Sequence, residues 1–294
     1  MSTGDTVIGV SERHFVLLSD ENRFVRKKAL TEIHEVLKTI LDGKDSSAFP
    51  FSACASRLTN TLNDPIEVNR ELAVQVNRSF LECAPDISVV LPSLFPVLVK
   101  RLGEKELVEP SEELRLECLK LFGLVMKKTV DLNPYVDDML IILKQSLMDA
   151  FHEVKKLSCT ILQDLASVKC HRFYQNSEII LNPLLSNLVH QHSKVRMATV
   201  SAIGHVLMNS QGKLVDQAVT PLTQRLFDTA TTVRKSVIEV IGVWLLDLPD
   251  RYSYHTKLLP LMLSGLIDSS EEIKSLTEDY WHDIGNFMAF KTFL

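Results

Sequence analysis

The heptapeptide Asp228-Thr-Ala-Thr-Thr-Val233-Arg234 sets an acid, four residues, a β-branched residue and then a base. The same order stands in Asp20-Glu-Asn-Arg-Phe-Val25-Arg26, Asp149-Ala-Phe-His-Glu-Val154-Lys155 and Asp268-Ser-Ser-Glu-Glu-Ile273-Lys274. Three weaker copies fill the gaps. Asp64-Pro-Ile-Glu-Val-Asn69-Arg70 has Asn at the apolar position, Glu109-Pro-Ser-Glu-Glu-Leu114-Arg115 has Glu for Asp, and His190-Gln-His-Ser-Lys-Val195-Arg196 has lost the acid. The base is present in all seven copies. Gaps between successive apolar positions are 44, 45, 40, 41, 38 and 40 residues.

Two further columns share this register. Four residues past the apolar position stand Ala29, Ala73, Cys118, Ser158, Thr199, Val237 and Thr277; nine past it, three copies carry Gly123, Gly204 and Gly242. A mid-helix glycine costs about 1 kcal/mol against alanine, so its recurrence points to helix backbones in close approach. Ahead of each acid lies an apolar segment with helical spacing, such as Leu258-Leu-Pro-Leu-Met-Leu-Ser-Gly-Leu266, and after it a second helix begins. Internal prolines at Pro92, Pro96, Pro183, Pro221 and Pro260 predict that those first helices start or bend there. Periods of about 40 residues and paired helices predict an all-α chain, an α-α superhelix of HEAT or armadillo type with about seven helix pairs. The pairs are expected at 12–42, 48–84, 86–129, 133–168, 174–209, 213–248 and 253–288 of a single solenoid over 1–294. One pair cannot bury its own apolar face; stacking makes the core continuous.

The acid and base columns, six residues apart, predict a structural ladder at the turns: Asp20, Arg26, Asp64, Arg70, Glu109, Arg115, Asp149, Lys155, Arg196, Asp228, Arg234, Asp268 and Lys274. An acid there accepts hydrogen bonds from free amides and sits against the positive end of the next helix. The base then reaches the acid of its own or a neighbouring copy. Lys27, Lys156 and Lys235 hold equivalent places and are candidates for a partner-binding stripe suited to an acidic protein surface. The simpler reading of that stripe is a solvated helix end. Trp244 and Trp281 fall in second helices and are expected in the core.

Composition narrows the function. The 294 residues are 46% hydrophobic and 23% charged, enough apolar material for a substantial core, and the net charge of −5 argues against a nucleic-acid or membrane-surface binder. Five scattered cysteines with no CxxC read as buried small hydrophobes rather than a disulfide framework or zinc site. Met1 to Phe15 lacks the pattern of a signal peptide, and no stretch has the roughly 18 apolar residues of a membrane span, so a cytosolic or nuclear protein is expected. No phosphate loop, GxGxxG, HExxH, GxSxG or calcium loop occurs; Gly43-Lys-Asp-Ser-Ser47 reads as a linker. His190-Gln-His192 sits in a turn where neighbours do not converge on a metal, and Asn77-Arg-Ser79 lies within a predicted helix. No cofactor, metal, catalytic residue or small-molecule substrate is predicted.

Across several of these segments the sequence resembles the HEAT-repeat axonemal dynein assembly factors. The residues that carry the likeness are Leu188-Val-His-Gln-His-Ser-Lys-Val-Arg196, Thr223-Gln-Arg-Leu-Phe-Asp228, Asp250-Arg-Tyr-Ser-Tyr254 and Leu258 to Trp281. Ser56-Arg-Leu-Thr-Asn-Thr-Leu-Asn-Asp-Pro65 and Glu109-Pro-Ser-Glu-Glu-Leu-Arg115 add to it. The resemblance implies a non-catalytic cytoplasmic scaffold for preassembly of the dynein arms of motile cilia, with dynein chains, other assembly factors or chaperones as partners. Members of that family are longer. The apolar end with Phe287, Met288, Phe290, Phe293 and Leu294 lacks the polar cap of a terminal repeat and reads as a truncated or alternative end. The alternative reading is a generic HEAT adaptor of the nuclear transport or phosphatase scaffold type.

Overall fold

Each copy folds as two helices because its apolar residues recur at helical spacing on both sides of one polar turn. The structure is a computed structural model describing residues 10–43 and 49–292, with side chains as far as Asn286. The linker residues 44–47 and the apolar end side chains from Phe287 to Leu294 therefore lie outside the described residues. Fifteen α-helices make up the described residues, joined by short turns and 3₁₀ segments. They divide into two compact units, Met1–Asp138 and Met139–Leu294.

In the first unit α1 (Glu12–Leu17) and α2 (Arg23–Leu41) form the first pair, α3 (Phe51–Asn60) and α4 (Glu67–Cys83) the second, α5 (Leu91–Leu98) and α6 (Glu112–Lys128) the third. The second helices α2, α4 and α6 pack in series, and so do the first helices α1, α3 and α5. Their apolar faces meet in a core that includes Phe15, Phe49 and Phe80, with Phe51 stacked on Phe80 at 5.6 Å between ring centroids. A fully buried phenylalanine or leucine stabilises such a core by about 1.5–3 kcal/mol. Proline shapes α5: Pro92 stands in its first turn, Pro96 cannot donate within it, and a π turn, Val99–Gly103, follows.

α7 (Val136–Leu147) straddles the division. The second unit continues with α8 (His152–Ser167), then α9 (His171–Asn176) and α10 (Glu178–Asn187) ahead of α11 (Ser193–Met208). Next come α12 (Lys213–Arg225), α13 (Thr231–Asp247), α14 (His255–Ser264) and α15 (Glu271–Thr292). Here α8, α11, α13 and α15 stack in series, as do α10, α12 and α14. The first helix of the fifth pair is split into α9 and α10, a break that the period did not foretell. Unlike α5, the helices α10, α12 and α14 do not begin at their prolines; Pro183, Pro221 and Pro260 lie inside them.

The recurring small residues have a packing cause. Ala29, Ala73, Cys118, Ser158, Thr199, Val237 and Thr277 are all buried. A methyl group on Gly204 would stand 2.6 Å from Val240 Cγ2, and one on Gly242 would stand 2.5 Å from the Tyr280 ring, so these glycines let α11, α13 and α15 close up. The fully buried Trp244 donates its indole N–H to the Gly204 carbonyl at 3.1 Å. Trp281, expected in the core, is instead 40% exposed on α15.

Candidate functional site

The turn between the two helices of a pair is built the same way in six copies. The amide of the acid position donates back to the carbonyl three residues before it: Asp20 to Leu17, Asp64 to Thr61, Asp149 to Ser146, His190 to Asn187, Asp228 to Arg225 and Asp268 to Gly265, at 3.0–3.2 Å. The acid side chain then accepts from the amide two residues on, as in Ile66 to Asp64 Oδ1 at 2.8 Å and Phe151 to Asp149 Oδ1 at 2.7 Å. Asn22, Ala230 and Ser270 donate likewise to Asp20, Asp228 and Asp268, and Ser111 to Glu109 at 3.3 Å. These are side-chain turns that fix the approach to the second helix. His190 keeps the arrangement without a carboxylate: its Nδ1 accepts from the His192 amide at 3.1 Å.

The base joins two copies. Arg26 Nη1 donates to the Asp20 carbonyl of its own turn at 2.8 Å, while Nε and Nη2 grip the Asp64 carboxylate at 2.6 and 3.0 Å. Arg70 does the same, with Nη1 on the Asp64 carbonyl and the fork on Glu109 at 2.7 and 2.9 Å. In the second unit Arg196 spans the His190 carbonyl and Asp228, and Arg234 spans the Asp228 carbonyl and Asp268. The planar fork suits this double duty, since one edge meets the carboxylate and the remaining amine meets the carbonyl. Arg115 Nη1 donates to the carbonyls of Glu109 and Pro110. Lys274 departs from the ladder and bonds Glu271 on its own helix at 2.6 Å.

Four residues join the ladder that the columns do not mark. Arg101, carried on the π turn, also bonds Glu109. Asn69, at an apolar position, donates to Asp64 Oδ2 and to the Arg23 carbonyl, both at 3.2 Å. Arg225 lies 3.5 Å from Asp228. Asn187 takes the place of the missing acid, accepting from Lys155 Nζ at 2.9 Å while donating to the Leu147 carbonyl at 2.8 Å.

The electrostatics follow from burial against pairing. For Asp64, burial alone would raise the pKa; hydrogen bonds from Arg26, the Ile66 amide and Asn69 outweigh it and hold the carboxyl below its ordinary value. Glu109 and Asp228 balance the same way, burial against their arginines, and Asp268 is held down by Arg234. The pKa of Lys155 is lowered too, but by burial, which disfavours its charged form.

The three lysines expected to form a stripe are differently placed. Lys27 is exposed on α2 in the first unit. In the second unit Lys156 lies 2.6 Å from Glu153 and Lys235 lies 2.5 Å from Glu272. That pairing uses up much of the pull they would exert on an acidic partner. The second unit also holds a half-open cavity of about 330 Å³ between α8, α11 and α13, with Gly204, Met208, Val240 and Trp244 in its lining.

Other chemistry is sparse. Cys54, Cys83, Cys118, Cys159 and Cys170 are free, and burial pushes the thiols of Cys54, Cys118 and Cys159 up to about 12. Asn77 is buried, donating to the Ala73 and Leu58 carbonyls. Among the described residues no group of three or more His, Cys, Asp or Glu is placed to hold a metal, and no helix is long and apolar enough to cross a membrane.

A family model described as dynein axonemal assembly factor 5-like, TPR repeats, matches residues 17–289. The chain belongs to that family. It is 40% identical over 278 residues to dynein axonemal assembly factor 5 of Xenopus laevis, covering 93% of this chain and 33% of that protein. It is 38% identical to the Homo sapiens protein of the same name, covering 88% of this chain and 31% of that one. The chain thus spans about a third of the length of the curated relatives it matches. Among solved structures, a designed armadillo repeat protein in complex with the peptide (KR)4 aligns with a TM-score of 0.57 at 16% identity, over 78% of this chain and 99% of that one. An engineered protein aligns with a TM-score of 0.54 at 18% identity, over 78% and 93%. These two share the fold alone. The 38–45-residue spacing is longer than the roughly 34 residues of a TPR unit and agrees with armadillo and HEAT repeats.

Proposed function

We propose that this chain is a non-catalytic protein-binding scaffold acting in the cytoplasmic preassembly of axonemal dynein arms. The observation that carries the reading is the family match over residues 17–289, with relatives named for dynein assembly. The geometry supports it. The arginines of the ladder and the carboxylates they grip are occupied in holding turns and neighbouring pairs together. A stack of helix pairs offers long edges and faces for other proteins. Dynein chains, other assembly factors and chaperones are the partners this reading names.

The test is immunoprecipitation of the tagged chain from cells assembling motile cilia, with mass spectrometry of what is retained. Recovery of dynein heavy or intermediate chains with other assembly factors is the expected result. Clean absence of both, with recovery of a transport GTPase or a phosphatase catalytic subunit, would transfer the chain to the generic adaptor reading.

A further inference from the structure

The half-open cavity between α8, α11 and α13, about 330 Å³, stands at the low end of the size range of ligand sites. Its inner wall is apolar, made by Met208, Val240, Val243 and the buried ring of Trp244. That ring is fixed in the wall, because the Gly204 carbonyl holds its indole N–H at 3.1 Å. The two glycines of these helices differ here: the Tyr280 ring lies against Gly242, whereas Gly204 borders the opening. A preformed apolar recess of this size, open on one side, suits one large apolar side chain whose backbone stays outside.

The rim defines what accompanies that side chain. Opposite charges stand on the two sides of α11. Lys169, just past α8, lines the cavity and makes no hydrogen bond or ion pair in the described contacts; Asp164, the nearest acid along α8, is outside the lining. Lys169 has φ 55°, the left-handed region in which a helix usually ends on glycine, so a side chain is kept there against the preference of the backbone. Glu239 lines the cavity from α13. Lys235 lies 4.0 Å from Glu239 but 2.5 Å from Glu272, so two carboxylates share one ammonium and this side stays acidic. Asp247 and Asp283 extend it, for with Glu239 they add to burial in raising the pKa of Tyr280, although His282 lies 3.9 Å from Asp283. Between the charges the rim carries Ser201, Asn209 and His205, whose Nδ1 lies 2.9 Å from the Ser201 carbonyl. Hydroxyl and amide groups there serve an extended backbone, which needs partners for its own N–H and C=O; a helix has satisfied them already. Packed helices lie about 8–10 Å apart, so α8 and α13 are two steps or about 16–20 Å apart. An extended chain covers that in about five or six residues.

We infer that the cavity seats a short extended segment of a partner protein. Its large apolar side chain enters the recess, an acidic residue lies toward Lys169 and a basic residue toward Glu239, acid and base about five or six residues apart. The inference rests on the reading of the chain as a protein-binding scaffold, and adds the recess and the chemistry of what enters it.

The probe is the synthetic peptide Ser-Glu-Thr-Ser-Leu-Thr-Ser-Lys-Ser, blocked at both ends and titrated into the full chain labelled with 5-fluorotryptophan. The chain has two tryptophans, and Trp281 is outside the lining, so fluorine NMR reads the cavity and an internal control together. The Trp281→Phe variant assigns the two resonances. A saturable shift of the Trp244 resonance is expected, with the Trp281 resonance unmoved. The peptide with its leucine replaced by serine should bind at least tenfold more weakly. Ser201→Leu, which fills the recess, should cost at least tenfold in affinity at an unchanged or higher melting temperature. Glu239→Lys, at an exposed side chain, should bind the peptide at least threefold more weakly and prefer a peptide with Glu in place of its Lys. No saturable shift at millimolar peptide, a response of Trp281 alone, or equal affinity for the serine peptide overturns the inference. So does an unchanged charge preference in Glu239→Lys, or a response to N-acetyl-leucine amide as strong as to the peptide. In the cell, failure of the parental chain to recover dynein chains and other assembly factors would sink the proposed function and leave peptide binding standing. Undiminished recovery by Ser201→Leu and Glu239→Lys would sink the recess as the docking site and leave the proposed function standing.

Discussion

Two departures of the ladder from its own pattern, one in each unit, run in opposite directions. At Glu109 in the first unit the carboxylate is fully buried and two arginines, Arg70 and Arg101, converge on it. At His190 in the second unit the acid is gone, and the base facing that place is Lys155, held by a neutral amide and a carbonyl. The comparison separates two jobs that an aspartate does at once elsewhere. One is to accept the amide two residues on, which His190 still does through Nδ1. The other is to neutralise the base of the preceding pair, which His190 does not do. Where the second job lapses, the base is a lysine, whose charge burial can weaken, instead of an arginine that stays charged.

The comparison breaks most severely at Glu109. Glu109→Gln leaves Arg70 and Arg101 buried without a counter-charge, and Arg101 Nε already has no hydrogen-bond partner. Removing one member of a buried ion pair costs about 3–5 kcal/mol. Urea unfolding followed by circular dichroism should show that loss; a change under about 1 kcal/mol would mean that the pairing at Glu109 contributes little. Acid should act on the same group. Its pKa is depressed in the folded chain, so its contribution is complete above the unfolded value of about 4.3 and is lost as pH falls below it. The parental chain should lose stability steeply below about pH 4, and Glu109→Gln should make that limb shallower.

Asp228→Asn tests whether the two jobs separate. The amide keeps an oxygen for the Ala230 amide and gives up the charge facing Arg196 and Arg225. We expect a loss of about 3 kcal/mol. Asp20→Asn is the control, because Asp20 serves the Asn22 amide and no arginine side chain is bonded to its carboxylate in the described contacts. Its expected cost is below about 0.5 kcal/mol. Equal melting-temperature shifts for the two variants would show that turn geometry, and not charge pairing, is what the acid supplies.

Much of this was legible in the sequence for a physical reason. Acid and base must sit six residues apart for the arginine to reach back to its own turn, so the spacing survives even where Asp becomes Glu. The direction of the fork, forward to the next pair, was not legible, because spacing within a copy says nothing about which copy stacks against it. Arg101 was hidden because only the π turn behind Pro96 brings it to Glu109. Asn187 was hidden because it lies in the first helix, three residues before the acid column. Trp281 misled through its size: position on a second helix predicts burial only where a further face packs against it.

Smaller than either loss of charge, and opposite in sign, is the change that returns the second unit to the pattern of the first. His190→Asp keeps an acceptor for the His192 amide and adds a carboxylate near Lys155 and Arg196. The histidine holds its present bond only while Nδ1 is unprotonated. Burial first, then Lys155, His192, His152 and Arg196, push its pKa below the ordinary value, so the unfolded chain takes up a proton before the folded one does. Stability from this group is present above about pH 6.5 and is lost as pH falls from there toward the folded value. His34 and His255, depressed by their own burial, add to the same limb. In His190→Asp that limb should shrink without vanishing, and stability at pH 7 should rise by about 1 kcal/mol. Melting curves across pH 5 to 8 decide it. An unchanged limb, or a less stable protein at pH 7, would show that Asn187 already completes this step of the ladder and that the missing acid is not a weakness.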